Sequence, residues 1–446
     1  MRYLSSFFIA LFCISTLAAQ APAKRPHPSL LAGPMVGYVE MREALLWVQT
    51  DGPATVQFLY KEANNPAARQ MRTSEYLTNS VEAFTARLIA NLVQPGKTYD
   101  YQLVINGQQV RLPYTAQFKT PVDWRYRTAP PTLNFALGSC NYINDAKYDR
   151  PGEPYGKDYG IFSSILAKRP DMMLWLGDNT YLREADWNSR TGIMYRYTHT
   201  RALPQMQPLL ASVPQYAIWD DHDYGPNNSD RSYRDKDVTL EAFKLFWGNP
   251  TYGINGKPGT TSTFTQGDCQ FFLMDNRYYR APDNMVTQEG EILGEEQLNW
   301  LIESLKSSSA NFKFVCIGGQ VLSTAKKFEN HINIAPEERE RLLSAIAKEK
   351  IRNVIFLTGD RHHSELSVES RDGVRIYDFT VSPLTSGAYD PSKELNTNRI
   401  RGTGFGERAF GMVNVSGPEK RRQATLSLYD VNGKRVFEEV VTAQRY

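Results

Sequence analysis

The chain predicts an α/β fold, a layered sandwich of sheets covered by helices, with a small all-β domain in front of it. Three observations carry that expectation. Residues 28–120 read as short strands separated by turn signals, with no helical period. After residue 131, strand-like runs alternate with helical ones. Three of the later apolar runs, at 172–176, 216–219 and 353–357, stop abruptly in acids and histidines. Buried strands that end this way point to a metal centre at one edge of a sheet.

The first segment has a basic start at Arg2, a mostly apolar stretch over 4–17, and small residues at Ala18, Ala19 and Ala21. This is the pattern of an export signal, read as residues 1–19. Only Arg2 precedes the apolar stretch, which indicates ordinary unfolded export to a periplasmic or secreted location. Bulky Phe12 before Cys13 speaks against a lipid-anchored lipoprotein. The stretch is short for a membrane span, and no later run is long and apolar enough, so no transmembrane segment is expected in the mature protein. Cys140, Cys269 and Cys316 then remain, too few for a disulfide scaffold, though one bond could form.

In the all-β part, strands are expected at 44–50, 55–60, 84–89 and 99–105. Asp51-Gly52-Pro53 stops the first, and Asn106-Gly107 is a hairpin turn after the last. Residues 117–120 close the region, and 121–131, with prolines and arginines, read as a linker. The remainder, 132–446, forms the second domain. Its strands are expected at 135–137, 172–176, 271–274, 312–317 and 354–357, and its helices at 159–168, from 294, and at 336–350. A terminal antiparallel hairpin is expected from the runs at 410–415, 424–429 and 435–437.

Composition narrows the class. The 446 residues are 41% hydrophobic and 22% charged, ordinary for a globular protein of two or more domains. A net charge of +3 gives no reason to expect a nucleic-acid partner. Aromatic content of 12% argues against disorder. Tyr224, Trp247, Tyr252, Tyr278 and Tyr279 could wall a cleft or fill a core.

The loops after the apolar runs supply Cys140, Asp178, Tyr181, Asp221, His222, Gln320, Asp360, His362 and His363. In a mainly parallel sheet such loops share one rim. Several carboxylates on one rim repel each other, and metal ions supply the compensating charge. Mixed His and Asp donors suit zinc, iron or manganese, whereas Asp, Asn and Gln suit calcium or magnesium. One thiolate with one phenolate favours Lewis-acidic trivalent iron. A pair of ions is the usual device for phosphoester hydrolysis. Singly these residues are weak signals: Asp178 could form a turn, Cys140 could be filler, and His363 could sit at the surface beside His362. Asp220-Asp221-His222-Asp223 is stronger, because four adjacent ionisable residues straight after a buried strand are costly without partners. His27, His199 and His331 have no such context, although His199, in a helical stretch, could reach the cleft.

At these residues the sequence resembles the PhoD-like, or alkaline phosphatase D, branch of the metallophosphoesterases. The matching segments, in the family's order, are 138–140, 176–181, the long string 219–227, 273–280 and 357–362. The resemblance covers nearly the whole mature chain. It implies a metallophosphoesterase-like sandwich behind a fibronectin type III-like domain, and a phosphomonoesterase or phosphodiesterase with an iron–calcium centre. Carried over, Cys140 and Tyr181 look like iron ligands, Asp178 like the bridging carboxylate and Asp360 like another iron-side ligand. Asp221 looks like a second-site ligand with Gln320 beside it, and His362 or Asp223 completes the cluster. His222 looks like the phosphate-contacting or leaving-group histidine, with Arg277 and Arg361 candidates for the phosphate oxygens. The expected cofactors are two or more ions, Fe³⁺ and Ca²⁺, with zinc, manganese or magnesium as alternatives.

No serine sits in a nucleophile elbow, so hydrolysis is expected by activated water rather than through a covalent intermediate. The partner is then a phosphate ester: a small molecule, a lipid or a polymer, met by a monomer. Two competing readings stay open. One is a diesterase, phospholipase-type enzyme or other oxyanion-ester hydrolase. The other is a non-catalytic surface binding protein stabilised by metal.

Overall fold

The structure is a computed structural model that describes residues 25–444, so the expected export signal and Cys13 lie outside it. Two six-stranded sheets form the larger part of the chain. The first runs in the order Gln215–Ile218, Met172–Leu176, Leu133–Gly138, Ala409–Ser416, Gln423–Asp430 and Arg435–Thr442. Its first three strands are parallel, and the expected C-terminal hairpin extends it antiparallel. The second runs Ser262–Gln266, Cys269–Leu273, Phe312–Cys316, Val354–Thr358, Val374–Thr380 and Glu365–Arg371, with its four middle strands parallel.

Strand periodicity explains the layering. Side chains alternate between the two faces of a sheet. Phe135, Leu137, Leu174, Leu176 and Ile218 point inward and meet Phe271, Leu273, Phe314, Ile355 and Leu357 from the other sheet. Phe135 stands edge-on to Phe271 and Phe314, with ring centroids 5.2 and 5.1 Å away. The residues between them face outward. Ala136, Met173, Trp175 and Ala217 lie beneath the helices Ile161–Ala167, Arg190–Arg201, Gln207–Ser212 and Lys236–Phe246. Phe272, Val315 and Phe356 lie beneath Glu295–Ser307 and Pro336–Lys348. The result is four layers, helix–sheet–sheet–helix, in which strands buried on both faces read as continuous apolar runs.

The helices start where local chemistry allows it. Ser189 accepts the Gly192 N–H at the head of Arg190–Arg201. Pro336 opens its helix with Glu337 and Glu338 in the first turn, and Lys348 stands in the last.

The N-terminal part is β-rich, as expected, with a three-stranded sheet (Leu30–Val39, Ala44–Thr50, Thr85–Ala90) and a second sheet built on Thr55–Glu62 and Thr98–Ile105. Asn106 and Gly107 both hold positive φ (49° and 77°), the geometry of the hairpin turn the sequence announces. The pair Leu30–Val39 and Ala44–Thr50 is apolar on both faces. Val36, Leu46 and Val48 face the sandwich core with Phe58 and Leu103. Met35, Leu45 and Trp47 face the other way, into the core beneath the first sheet's helices. Trp47 donates to the Leu245 carbonyl at 2.8 Å, and Tyr101 donates to that of Ala211 at 2.7 Å. Residues 121–131 carry no helix or strand, but the parts they join share one continuous apolar core.

Two open questions close here. Tyr224, Trp247 and Tyr278 are core residues, with Tyr252 and Tyr279 packed against them, so they do not wall a cleft. Cys140, Cys269 and Cys316 are all free and buried, so the disulfide the count allowed is not formed.

Trp47→Ala removes a fully buried ring and its hydrogen bond. It should destabilise the protein by about 3–5 kcal/mol in urea unfolding, in a single transition. A separate early unfolding step of the N-terminal part would contradict the shared core.

Candidate metal centre

The carboxyl ends of the parallel strands from both sheets meet at one rim, and the rim residues follow them directly. Cys140 follows Leu133–Gly138, and Asp178 and Tyr181 follow Met172–Leu176. The acidic tetrad 220–223 follows Gln215–Ile218, and Asp360 to His362 follow Val354–Thr358. Cys140, Asp178, Asp360 and His362 all hold left-handed backbone, with φ of 57°, 51°, 63° and 52°. Such a conformation costs about 1 kcal/mol or more per residue, and it concentrates at functional sites. Here it turns the ends of three strands toward one another. Gly318 makes the approach possible, since a Cβ there would collide with Asp220 and Asn276.

The first cluster joins Cys140, Asp178 and His362, whose ligand atoms lie within 4.8 Å of one another. Cys140 Sγ is 3.5 Å from Asp178 Oδ2 and accepts from Ser382 Oγ at 3.1 Å. The Tyr181 hydroxyl reaches Asp178 Oδ2 at 3.2 Å and stands 3.4 Å from His362 Nε2. The Gly387 carbonyl lies 2.6 Å from His362 Nδ1. A carbonyl only accepts, so Nδ1 carries the hydrogen and Nε2 turns its lone pair toward the cluster, as a metal-ligating imidazole does.

The second cluster joins Asp178, Asp221 and His222, within the same 4.8 Å span. Asp178 therefore belongs to both. Its other oxygen accepts the His222 backbone N–H at 3.3 Å. The His222 ring stacks on Tyr181, with centroids 4.3 Å apart. Of the residues in these two clusters, His222 is the one that is not fully buried.

A third group lies behind them: Asp220, Asp221 and Glu329, gathered around Arg277. Arg277 is fully buried and pairs with Asp220 and with both oxygens of Glu329. Arg280 adds a second contact to Glu329 at 2.7 Å. Asn276 donates to Asp220 Oδ1 at 2.7 Å.

The structure gives several residues named from the sequence different tasks. Arg277, expected to grip phosphate, is consumed by Asp220, Glu329 and the Ser229 carbonyl. Arg361 donates to Gln320, Asn330 and Glu394, and its side chain is buried. Gln320 is held by Arg361, Glu365 and Thr380. Asp360 is outside the compact clusters, although it is close enough to act electrostatically on Cys140 and to feel Glu329, Asp220 and Asp221. Asp223 turns back onto the N–H groups of Asp220, Asn179 and Thr180, which leaves His362 in the cluster. His363 is buried against the Arg361 carbonyl rather than at the surface. His199 bonds the Asn144 carbonyl, away from the rim clusters.

Electrostatics shows what the rim lacks. Burial and the neighbouring Asp221 hold Asp178 well above the usual carboxylate range. Burial, then Glu329 and Asp220, push Asp360 up to about 8. Burial opposes charge on Asp221 as well, but His222, Arg277 and the Asn228 N–H outweigh it and keep that carboxyl below its ordinary value. Burial pushes the Cys140 thiol up to about 12. Asp220 Oδ2 and Asp221 Oδ1 are buried without a donor. An unsatisfied buried oxygen costs about 1–3 kcal/mol, and a cation removes that cost. Thiol, phenol, imidazole and carboxylate in one place, with orphaned oxygens beside them, fit bound metal.

The comparisons with known proteins agree with this geometry. The family model described as "PhoD-like phosphatase" matches residues 135–408. The chain belongs to the PhoD-like phosphatase family. A second model, a domain of unknown function, matches residues 27–123. Alkaline phosphatase D of Bacillus subtilis (strain 168) is 23% identical over 69% of this chain. The chain spans 62% of that relative's length. Among solved structures, one described as the structure of PhoD superposes with a TM-score of 0.72 at 17% identity, covering 95% of this chain and 94% of its own. The purple acid phosphatase PPD1 of yellow lupin superposes with a TM-score of 0.65 at 12% identity, covering 92% and 74%. Both likenesses are of fold.

Glu329, Asn276 and Ser382 are site neighbours that the sequence does not single out. Glu329 follows no apolar run, and its partner Arg277 is 52 residues away. Ser382 was within reach of the strand-end rule, but the charged residues Arg375 and Asp378 disguise the strand before it.

Two outcomes follow. A cation held by Cys140 must displace its proton, so metal uptake should release protons and tighten as pH rises toward about 12. Indicator-dye titration during loading measures this, and Cys140→Ala should release about one proton fewer. Glu329→Gln leaves Arg277 and Arg280 short of a buried counter-charge and should cost about 3–5 kcal/mol in urea unfolding.

Proposed function

We propose that the chain is an exported, metal-dependent phosphoesterase that hydrolyses phosphate esters with two ions held at the rim. The observation that carries this reading is Asp178. One carboxylate shared by two adjacent donor clusters is what a two-metal hydrolytic site needs. Cys140, His362 and Tyr181 would hold the first ion beside Asp178, and Asp178 with Asp221 the second, with His222 beside them. Thiol and phenol donors support trivalent iron at the first position, and the carboxylates support calcium at the second. Bound there, such ions polarise phosphoryl oxygens and make water a stronger nucleophile.

The chain's own groups do the positioning. Asp178 fixes the spacing between the two clusters. The Gly387 carbonyl fixes the His362 tautomer. Arg277, through Asp220 and Glu329, keeps the rear of the rim neutral enough to stay folded. His222, the cluster member that solvent reaches, is the side chain a substrate meets, and we read it as the donor to an ester oxygen. Arg361, Gln320 and Asp360 act around this core as supports rather than as first contacts.

The domain reading completes the proposal. Residues 28–120 form a fibronectin type III-like sandwich, 121–131 join it, and 132–446 form the catalytic part. The shared core behind Trp47 supports a buttressing role for the sandwich. Export rests on the segment 1–19, and its relative alkaline phosphatase D supports a phosphate-ester substrate.

Metal analysis with p-nitrophenyl phosphate and bis(p-nitrophenyl) phosphate as substrates tests the reading. Asp178→Asn should keep the fold, lose metal from both positions, and lose activity by on the order of 100-fold or more. A metal-replete wild-type protein inactive on both esters would falsify it.

A further inference from the structure

Two aromatic rings stand exposed against the consecutive residues Arg361 and His362. Tyr389 is 58% exposed, and its ring centroid lies 5.2 Å from that of His362. Its backbone N–H donates to the His362 carbonyl at 2.7 Å, which fixes its place. Tyr155 stands 6.0 Å from the same imidazole, with its hydroxyl 3.2 Å from Nδ1. Phe328 is 68% exposed, and its ring lies 5.2 Å from the Arg361 guanidinium.

A single exposed apolar side chain needs no explanation. These differ in two ways. They sit on neighbouring rim residues, one of which belongs to the first donor cluster. Phe328 also holds φ of +45°, a conformation a bulky residue seldom adopts. Its own loop imposes it. Glu329, the next residue, is clamped by Arg277 and Arg280, and Asn330 by Arg361, so Phe328 is presented outward on a pinned backbone. Strain maintained where it buries nothing points to use.

We propose that Tyr389 and Phe328, with Tyr155 behind Tyr389, form a stacking platform that selects phosphate esters carrying a planar aromatic group. The inference rests on the phosphoesterase reading and names the substrate class within it. Flat rings stack in offset or edge-on geometry and gain beyond the area they cover, whereas a short alkyl group finds no such partner. Tyr389 lies one ring away from His362, close enough to hold a ring attached to the phosphorus directly or through a short linker. An aryl ester and a nucleoside phosphate share that chemistry.

Titration of the metal-replete protein with non-hydrolysable phosphonates tests this without turnover. Phenylphosphonate should bind roughly 3–10-fold more tightly than methylphosphonate. Tyr389→Ala and Phe328→Ala should each reduce that preference, and the double variant should abolish it, with methylphosphonate affinity changing less than about twofold. An adenosine 5′-phosphonate separates the two sources of such a ring. Tighter binding than phenylphosphonate assigns a nucleotide, and weaker binding assigns an aryl ester. Equal wild-type affinity for phenyl- and methylphosphonate overturns the platform while leaving the phosphoesterase reading intact. Failure to bind either one removes both.

Discussion

Arg277 is buried among carboxylates that could not otherwise share the rim. Its guanidinium meets Asp220 and Glu329 directly and stands 3.8 Å from Asp221. Removing several acids from water is costly, and a buried arginine repays it only when every donor finds an acceptor. Here Nε and both terminal nitrogens do. Arg277 and Arg280 together offset Asp220 and Glu329 at the rear, so the carboxyls left short of a cation are those at the front, Asp178 above all. The site's appetite for cations is set by where the arginine is as much as by where the acids are.

Much of this was legible in the sequence, and one physical rule explains how much. A parallel strand buried on both faces is a continuous apolar run, and the loop after it lies on the binding rim. That rule finds Cys140, Asp178, Asp221, His222 and His362 from local pattern alone. It fails for groups whose task depends on a distant partner. Nothing near Arg277 reveals that Glu329 will reach it, so an arginine on an acidic rim reads as a phosphate binder when it is an internal counter-ion. Gln320 misleads in the same way, because Glu365 and Thr380 claim its amide from another strand and a strand end.

Aromatic residues mark a second limit. Tyr224 and Tyr278 sit close in sequence to rim motifs, yet they fill the core, whereas Tyr155, Tyr389 and Phe328 come from loops without periodicity and reach the surface. Composition counts rings but cannot aim them. The N-terminal strands pose the same problem. Alternation along Leu30–Val39 and Ala44–Thr50 tells that two faces exist, but both are apolar, and only the packed structure shows that Met35 and Trp47 belong to the core beneath the first sheet's helices.

The tetrad 220–223 shows how four adjacent ionisable groups avoid defeating one another. They do not share one environment. The short turn Asp221–Tyr224 is closed by a reciprocal cap, in which Asp220 accepts the Asp221 N–H and Asp223 accepts the Asp220 N–H. Asp220 Oδ1 also accepts from Arg277 and Asn276, which leaves Oδ2 without a donor, and Asp223 takes two further backbone donors. Two acids thus build the turn. Successive residues of a helical turn diverge by about 100°, so Asp221 and His222 are carried away from the caps and toward Asp178. The motif is diagnostic because its outer members make the geometry that lets its inner members act.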